Sequence, residues 1–134
     1  MERDTSSPEA AAGAALAEDP PYSEGSVWSV QFMQAKPGRT ISYLAYLRSE
    51  WKPLMEAAKE QGLILSYRTL IAPLAHAGDW DVMLLIELPN MAALDGYNER
   101  IRELGGGLAS RRNQDGSQLH ELLGMKLLRE AILG

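Results

Sequence analysis

Residues 82–88 form a segment that is apolar at both odd and even positions. Successive side chains of a β-strand point to opposite faces, so a strand with one face in water alternates apolar with polar residues. Here one set of alternate positions holds Val82, Leu84, Ile86 and Leu88, and the other holds Met83 and Leu85. The pattern predicts a strand that is buried on both faces. A chain this short has helices enough for one face only, so we expect a second copy to cover the other.

Periodicity predicts five further elements. Strand-like alternation covers 27–35, strand-forming residues fill 63–72, and a short apolar run covers 122–128. Apolar positions recur at helical spacing over 40–61 and 91–104. The order is therefore strand, helix, strand, strand, helix, strand.

Proline and glycine mark where the two predicted helices change or end. Pro53 lies inside the first helix, where it removes one backbone hydrogen bond and clashes with the carbonyl of Ser49, so we expect a kink or a restart there. Gly105–Gly107 are expected to end the second helix, which Asn90 caps. Trp51 falls on the buried stripe of the first helix. A solvent-facing set falls off that stripe: Tyr43, Tyr46 and Lys52.

With right-handed crossovers, the βαββαβ order places the first and third strands at the centre of a four-stranded antiparallel sheet, with both helices on one face. The sequence therefore predicts an α+β ferredoxin-like sandwich. Two such sheets packed through their bare faces about a twofold axis would form a dimeric α+β barrel with a cavity between them. We expect the bare face to carry Met33, Met83, Leu85 and either Leu122 or Leu123.

Composition narrows the classes of partner. The chain has 134 residues, 46% of them hydrophobic, which is enough for a single packed domain. A net charge of −5 without basic clusters argues against nucleic acid and anionic membranes as partners. The sequence has no cysteine and no apolar run near the ~20 residues that span a bilayer, so we expect neither disulfides nor a membrane-spanning segment.

The first 25 residues differ from the rest, being rich in Ala, Ser, Pro, Glu and Asp. We therefore predict a flexible N-terminal tail over 1–25 and a folded domain over 26–134. The segment 11–17 ends like a signal-peptidase site, but a basic start and a long apolar stretch are missing. As written, the sequence predicts a cytoplasmic protein; the alternative is a periplasmic protein whose leader was removed.

Several segments carry a family resemblance: Tyr43-Leu44, Glu50–Leu54, Gly62–Ile64, Asp79–Asp81, Leu88–Gly96 and Glu121–Glu130. Together they resemble an uncharacterised bacterial family of the dimeric α+β-barrel superfamily, over the whole of 26–134. The resemblance implies a ferredoxin-like homodimer. That superfamily includes cofactor-free monooxygenases, haem-degrading enzymes, dehydratases, isomerases, stress-response proteins and amino-acid-sensing domains, so the resemblance does not select an activity.

Polar residues lie among the apolar positions of the predicted strands: Ser29, Gln31, Arg68, Glu87 and Lys126. Buried charges are costly without partners, so inward-facing ones would be paired, hydrated or directed at a ligand. We expect Arg68 or Lys126 to receive a ligand carboxylate, and Glu87 to transfer protons if burial raises its pKa. The alternative is an ordinary cross-strand ion pair. The hairpin register, which the sequence does not fix, decides whether Tyr67 or Arg68 faces the cavity.

Two aspartates flank Trp80 at the start of the third strand, near the mouth of the expected barrel. In a functional interpretation Asp79 or Asp81 is a base and Trp80 stacks on a planar ligand. In a structural interpretation the aspartates end the loop and Trp80 covers the core. His76 and His120 are expected in exposed loops, the alternative being a general base or a haem ligand. Neither has metal-binding spacing, so no metal and no cofactor is predicted.

These patterns predict a homodimer that associates through the open sheet face and binds a small, partly apolar molecule in the barrel interior. The predicted ligand-binding residues are Gln31, Tyr67, Arg68, Trp80, Met83 and Lys126. The alternative is a cofactor-independent enzyme, monooxygenase- or isomerase-like, that acts on a small aromatic or carboxylate-bearing substrate with Glu87 or Asp81 as the catalytic base. A third alternative is an assembly protein without a cavity, and the sequence leaves open whether the protein is an enzyme.

Overall fold

The structure is a computed structural model that describes residues 20–73, 76–109 and 118–134. Its strands are β1 (Tyr22–Ala35), β2 (Ser66–Ile71), β3 (Val82–Leu88) and β4 (His120–Leu133). Its helical elements are α1 (Thr40–Tyr46), a π-turn (Leu47–Trp51), α2 (Lys52–Glu60), a 3-10 turn (Met91–Leu94) and α3 (Tyr97–Ala109). The described strands form an antiparallel sheet in the order β2-β3-β1-β4, which confirms the predicted central position of the first and third strands.

The chain divides into two compact units. The described residues of the smaller unit are 20–25 and 130–134, where a Cβ atom added at Gly25 would lie only 3.1 Å from the Cβ atom of Glu130. The larger unit, 26–129, contains β2, β3 and all the described helices. Residues 22–25 were predicted as tail but belong to β1, and residues 1–19 of the predicted tail lie outside the described residues.

The helix between β1 and β2 is interrupted next to Pro53, as the sequence predicts. α1 ends at Tyr46, one π-turn follows, and α2 restarts with Pro53 in its first turn. Proline lacks the N–H that an α-helix would donate to Ser49, and a π-turn accommodates this because its hydrogen bonds span i→i+5. The π-turn also changes the helical register, so residues on either side of it face differently from those of a continuous α-helix.

The helical segment after β3 differs from the prediction in the position where its helix ends. Asn90 caps the 3-10 turn as expected, its Oδ1 accepting a hydrogen bond from the Ala93 N–H at 3.0 Å. Gly96, with a φ of 71°, separates that turn from α3. α3 continues to Ala109, so the predicted end at Gly105–Gly107 is wrong. The low helix propensity of glycine is a weak preference that tertiary packing overrides.

The helices before β2 and the helices after β3 cover the same face of the sheet, here named the helix-covered face. In β3 its residues are all buried: Val82, Leu84, Ile86 and Leu88. Met55 of α2 and Ile101 of α3 pack against the cluster that contains the last two of these. Met33 pairs directly with Val82, and directly opposed residues share a face. Met33 therefore lies in the core, and its predicted position on the bare face is wrong.

Candidate functional site

The other face of the sheet, here named the open face, lies opposite the helices. The register of β1 and β3 places three cross-strand pairs on it: Trp28 with Glu87, Val30 with Leu85, and Phe32 with Met83. Met83 and Leu85 thus lie on the face predicted for them. The indole of Trp80 lies against Phe32, with ring centroids 5.5 Å apart. One end of the open face is therefore aromatic and apolar.

Strand β4 extends the open face beyond β1. His120, its first residue, faces the helices, because its ring stacks on Tyr43 of α1 with centroids 4.6 Å apart. Strand alternation then places Leu123, Met125 and Leu127 on the open face, where they are 45%, 58% and 47% exposed. Of the two leucines predicted for this position, alternation selects Leu123.

The register between β2 and β3 decides whether Tyr67 or Arg68 lies on the open face. Arg68 pairs with Leu85 and lies on the open face. Tyr67 pairs with Ile86 and lies on the helix-covered face, where its ring meets the Trp51 ring edge-on at 5.4 Å. The predicted cavity residue at this position is therefore Arg68.

The predicted cavity also included residues that lie on the helix-covered face: Ser29, Gln31, Tyr67 and Lys126. Ser29 pairs with Ile86 and Gln31 pairs with Leu84, and alternation from His120 places Lys126 on the same side. The predicted placement of Ser29 and Gln31 is wrong because β1 is apolar on both faces, so its pattern does not fix its facing. The same reason applies to Lys126, since 122–128 is also apolar on both faces, whereas Tyr67 is the open alternative that the register excludes. Of the predicted ligand-binding residues, the open face gathers Arg68, Trp80 and Met83.

Glu87 occupies the polar end of the open face, and both of its carboxylate oxygens are engaged. Oε2 accepts a hydrogen bond from the Ser26 hydroxyl at 2.6 Å, and Oε1 accepts one from the Ser66 hydroxyl at 2.7 Å. These two bonds, with a smaller contribution from Arg68, lower the pKa of Glu87 against the opposing effect of burial. The raised pKa expected for a proton-transfer group is not found, and a carboxylate whose pKa is lowered is a weaker base as well as a poor proton donor at neutral pH.

Asp81 joins strand ends at the other end of the sheet. Its N–H donates to the carbonyl of Met33 at 3.0 Å, and its carbonyl accepts from the Ala72 N–H at 2.8 Å. Its Oδ1 accepts a hydrogen bond from the Ala35 N–H at 2.9 Å. These contacts fit the structural interpretation of Asp81, whereas the neighbouring Trp80 reaches the open face as the functional interpretation requires.

The two histidines lie in different surroundings. His76 is exposed in the connection between β2 and β3, as predicted. His120 is partly buried, and its Nδ1 has no hydrogen-bond partner among the described residues. Tyr43, on which it stacks, is 1% exposed, and burial is the largest cause of the raised pKa of Tyr43. The predictions of an exposed His120 and a solvent-facing Tyr43 are wrong. Within the described ranges, no group of three or more acidic, histidine or cysteine residues could hold a metal ion.

Sequence reasoning missed several residues of the open face: Ser26, Trp28, Phe32 and Ser66. A signal for the aromatic pair was present, because Trp28 and Phe32 alternate with Val30 along one side of β1. The two serines carry no comparable pattern. They become visible only through the register, which pairs Ser66 directly with Glu87.

Known proteins resemble this chain in fold but not in sequence. No family model matches the sequence, and no curated protein matches it. The chain superposes on the crystal structure of HapK from Hahella chejuensis with a TM-score of 0.58 and 10% identity, over 78% of this chain and 91% of that chain. The fold is ferredoxin-like.

The ferredoxin-like fold also appears in two further matches, each described as a dimeric protein of unknown function. The protein from Thermobifida fusca YX has a TM-score of 0.49 and 11% identity, over 83% of this chain and 94% of that chain. The protein from Bacteroides fragilis NCTC 9343 has a TM-score of 0.49 and 14% identity, over 81% and 97%. In the part of the chain that the structure describes, no helix is long and apolar enough to cross a membrane.

Proposed function

We propose that the protein is a homodimer that packs the open face of its sheet against the same face of a second copy and holds a small, partly apolar molecule between the two sheets. The observation that carries this proposal is the partly buried apolar set Phe32, Met83 and Leu85, which lies on the side of the sheet away from the described helices. Contiguous apolar patches on a protein surface mark association sites. The exposed leucines and methionine of β4 enlarge this patch.

The open face is suited to meeting a copy of itself. A twofold interface needs a patch that is complementary to itself. The middle of this face is apolar, and its polar end offers both an anion, Glu87, and a cation, Arg68. Apolar side chains can therefore meet apolar ones, and each charge has a group of opposite sign available on the second copy.

Arg68, Trp80 and Met83 support the ligand part of the proposal. Trp80 and Phe32 provide flat apolar surfaces, and Met83 a polarizable side chain that adapts to irregular shapes. Glu87 is already satisfied by two serine hydroxyls, so it acts as a fixed polar boundary of the chamber and not as a base. A flat, largely apolar molecule fits this combination of groups.

Light scattering coupled to size-exclusion chromatography tests the dimer. We expect the wild-type protein to elute as a dimer at micromolar concentration and Leu85→Lys to elute as a folded monomer, because a lysine in the middle of the interface would be buried without a partner. Met91→Lys is the matched control, since Met91 is equally apolar but lies exposed on the 3-10 turn. A monomeric wild type, or a dimeric Leu85→Lys, would contradict the proposal.

A further inference from the structure

A groove lies on the helix-covered side of β2, between the π-turn and the sheet. One cavity of about 220 Å³ is lined by Leu44, Leu47, Arg48, Trp51, Lys52, Tyr67 and Thr69. It adjoins a second cavity of about 310 Å³, lined by Ile41, Leu44, Ala45 and Arg48. The two share Leu44 and Arg48, and together they fall in the size range of small-molecule sites.

The inner wall of the groove is aromatic and held in place by contacts. The rings of Trp51 and Tyr67 meet edge-on, with centroids 5.4 Å apart and an interplanar angle of 87°. The Tyr67 hydroxyl donates a hydrogen bond to Glu56. Burial first, and then this hydrogen bond, raises the pKa of Tyr67 to about 12, so the hydroxyl stays protonated at neutral pH. The two rings are therefore held in place as a preorganised wall, with the Tyr67 hydroxyl turned to Glu56.

The rim of the groove is cationic. Arg48 and Lys52 are both exposed and line the same cavity. Neither side chain forms an ion pair or a hydrogen bond with another described residue. In a chain with a net charge of −5, two unpaired cations beside an apolar wall favour a ligand that is anionic at one end.

The π-turn explains why these groups meet. Arg48 and Trp51 lie within it and Lys52 follows it directly. Pro53 fixes the position of the turn, because an uninterrupted α-helix would need the N–H that proline lacks. π-turns inside helices occur frequently at functional sites.

We propose that this groove binds a small organic carboxylate, with the carboxylate between Arg48 and Lys52 and its apolar body against Trp51 and Tyr67. Guanidinium and ammonium groups form charge-assisted hydrogen bonds with a carboxylate, and aromatic side chains provide the apolar contact. The site is on the opposite side of the sheet from the dimer interface proposed above and does not depend on it.

Calorimetric titration with 2-naphthoate tests the charge requirement, and 2-naphthylmethanol is the neutral probe of the same ring system. We expect the carboxylate to bind about tenfold more tightly than the alcohol, since two partly exposed ionic contacts together are worth about that factor. The double variant Arg48→Gln/Lys52→Gln should lose this preference while still binding the alcohol. Lys59→Gln, an exposed lysine of α2 outside this groove, is the control and should bind as wild type does.

The three tryptophans of the chain locate the bound probe. With ¹⁵N-labelled indoles, assigned by Trp→Phe variants, 2-naphthoate should shift the Trp51 signal, and the double variant should lose this shift whether or not the Trp28 and Trp80 signals respond to binding in the chamber. Shifts confined to Trp28 and Trp80 would place the probe on the open face and overturn this proposal while supporting the chamber. Absence of binding at millimolar probe, or unchanged binding of the carboxylate by the double variant, would overturn it as well.

Discussion

The two faces of the sheet differ in how much of their surface a single copy of the chain buries. On the helix-covered face, the residues of β3 are at most 8% exposed. On the open face, Met83, Leu85 and Glu87 of the same strand remain only partly buried. Because both sets belong to one strand, the difference comes from what packs against it. The apolar composition of a strand predicts that both faces leave water, but it does not identify the surface that covers each.

The largest predicted effect contrasts Leu84→Ala with Leu85→Ala, neighbours that point to opposite faces. Leu84→Ala should lower the free energy of unfolding by about 3 kcal/mol at any protein concentration, because it leaves a cavity under the helices. Leu85→Ala should cost about 1 kcal/mol in dilute solution and more in concentrated solution, where association buries the side chain. Urea unfolding at two protein concentrations measures both.

The same urea experiment can show that the two faces do not differ. Equal, concentration-independent losses for the two variants would mean that one copy already buries both faces to the same degree. Leu88→Ala provides a positive control, because Leu88 is fully buried and should behave as Leu84 does.

The element order followed from the sequence because it depends on strong periodic patterns, and the strand arrangement followed from that order through right-handed crossovers. The facing of β1 did not, because Val27 and Met33 on one side are as apolar as Val30 and Phe32 on the other. Only pairing with β3 distinguishes them. The choice between Tyr67 and Arg68 stayed open for a related reason: the connection from Ile71 to Val82 is too long for a turn type to set the register.

Of the candidate site, the sequence located the open-face residues that lie on β3 or beside it, and misplaced those of β1. Met83 was correct because the facing of β3 is marked by its four buried alternate positions. Gln31 was wrong because its facing depends on β1. The engagement of Glu87 was not predictable, since its serine partners are 61 and 21 residues away in sequence.

A middle-sized effect is expected at Glu87, where the open face is polar. Its folded pKa is lowered, so its contribution to stability is present above the unfolded pKa of about 4.3 and is lost as the pH falls through the folded value. Glu87→Gln should therefore cost about 1 kcal/mol at pH 7, and the difference from wild type should shrink as the pH falls from about 4.3 through the lowered folded pKa. Urea unfolding across this pH range measures it, with Glu60→Gln as an exposed control.

The smallest effect is expected at Gln31, which tests the facing of β1. Gln31→Leu should change the free energy of unfolding by no more than about 0.5 kcal/mol and leave the oligomeric state unchanged, because the side chain lies beside Leu84 and away from the open face. Light scattering and urea unfolding on the variant provide both measurements. A shift of the monomer–dimer equilibrium would instead return Gln31 to the interface.

The π-turn at Leu47–Trp51 has a consequence for how this chain should be aligned with related sequences. Such a turn is equivalent to one residue inserted into an α-helix. A homologue with a continuous helix here should lack both that residue and Pro53, and its alignment gap should fall within the helix instead of in a loop. The same gap would rotate the residues that precede it by about 100° relative to those that follow, which makes helix length, counted to the single residue, a marker for the presence or loss of the groove.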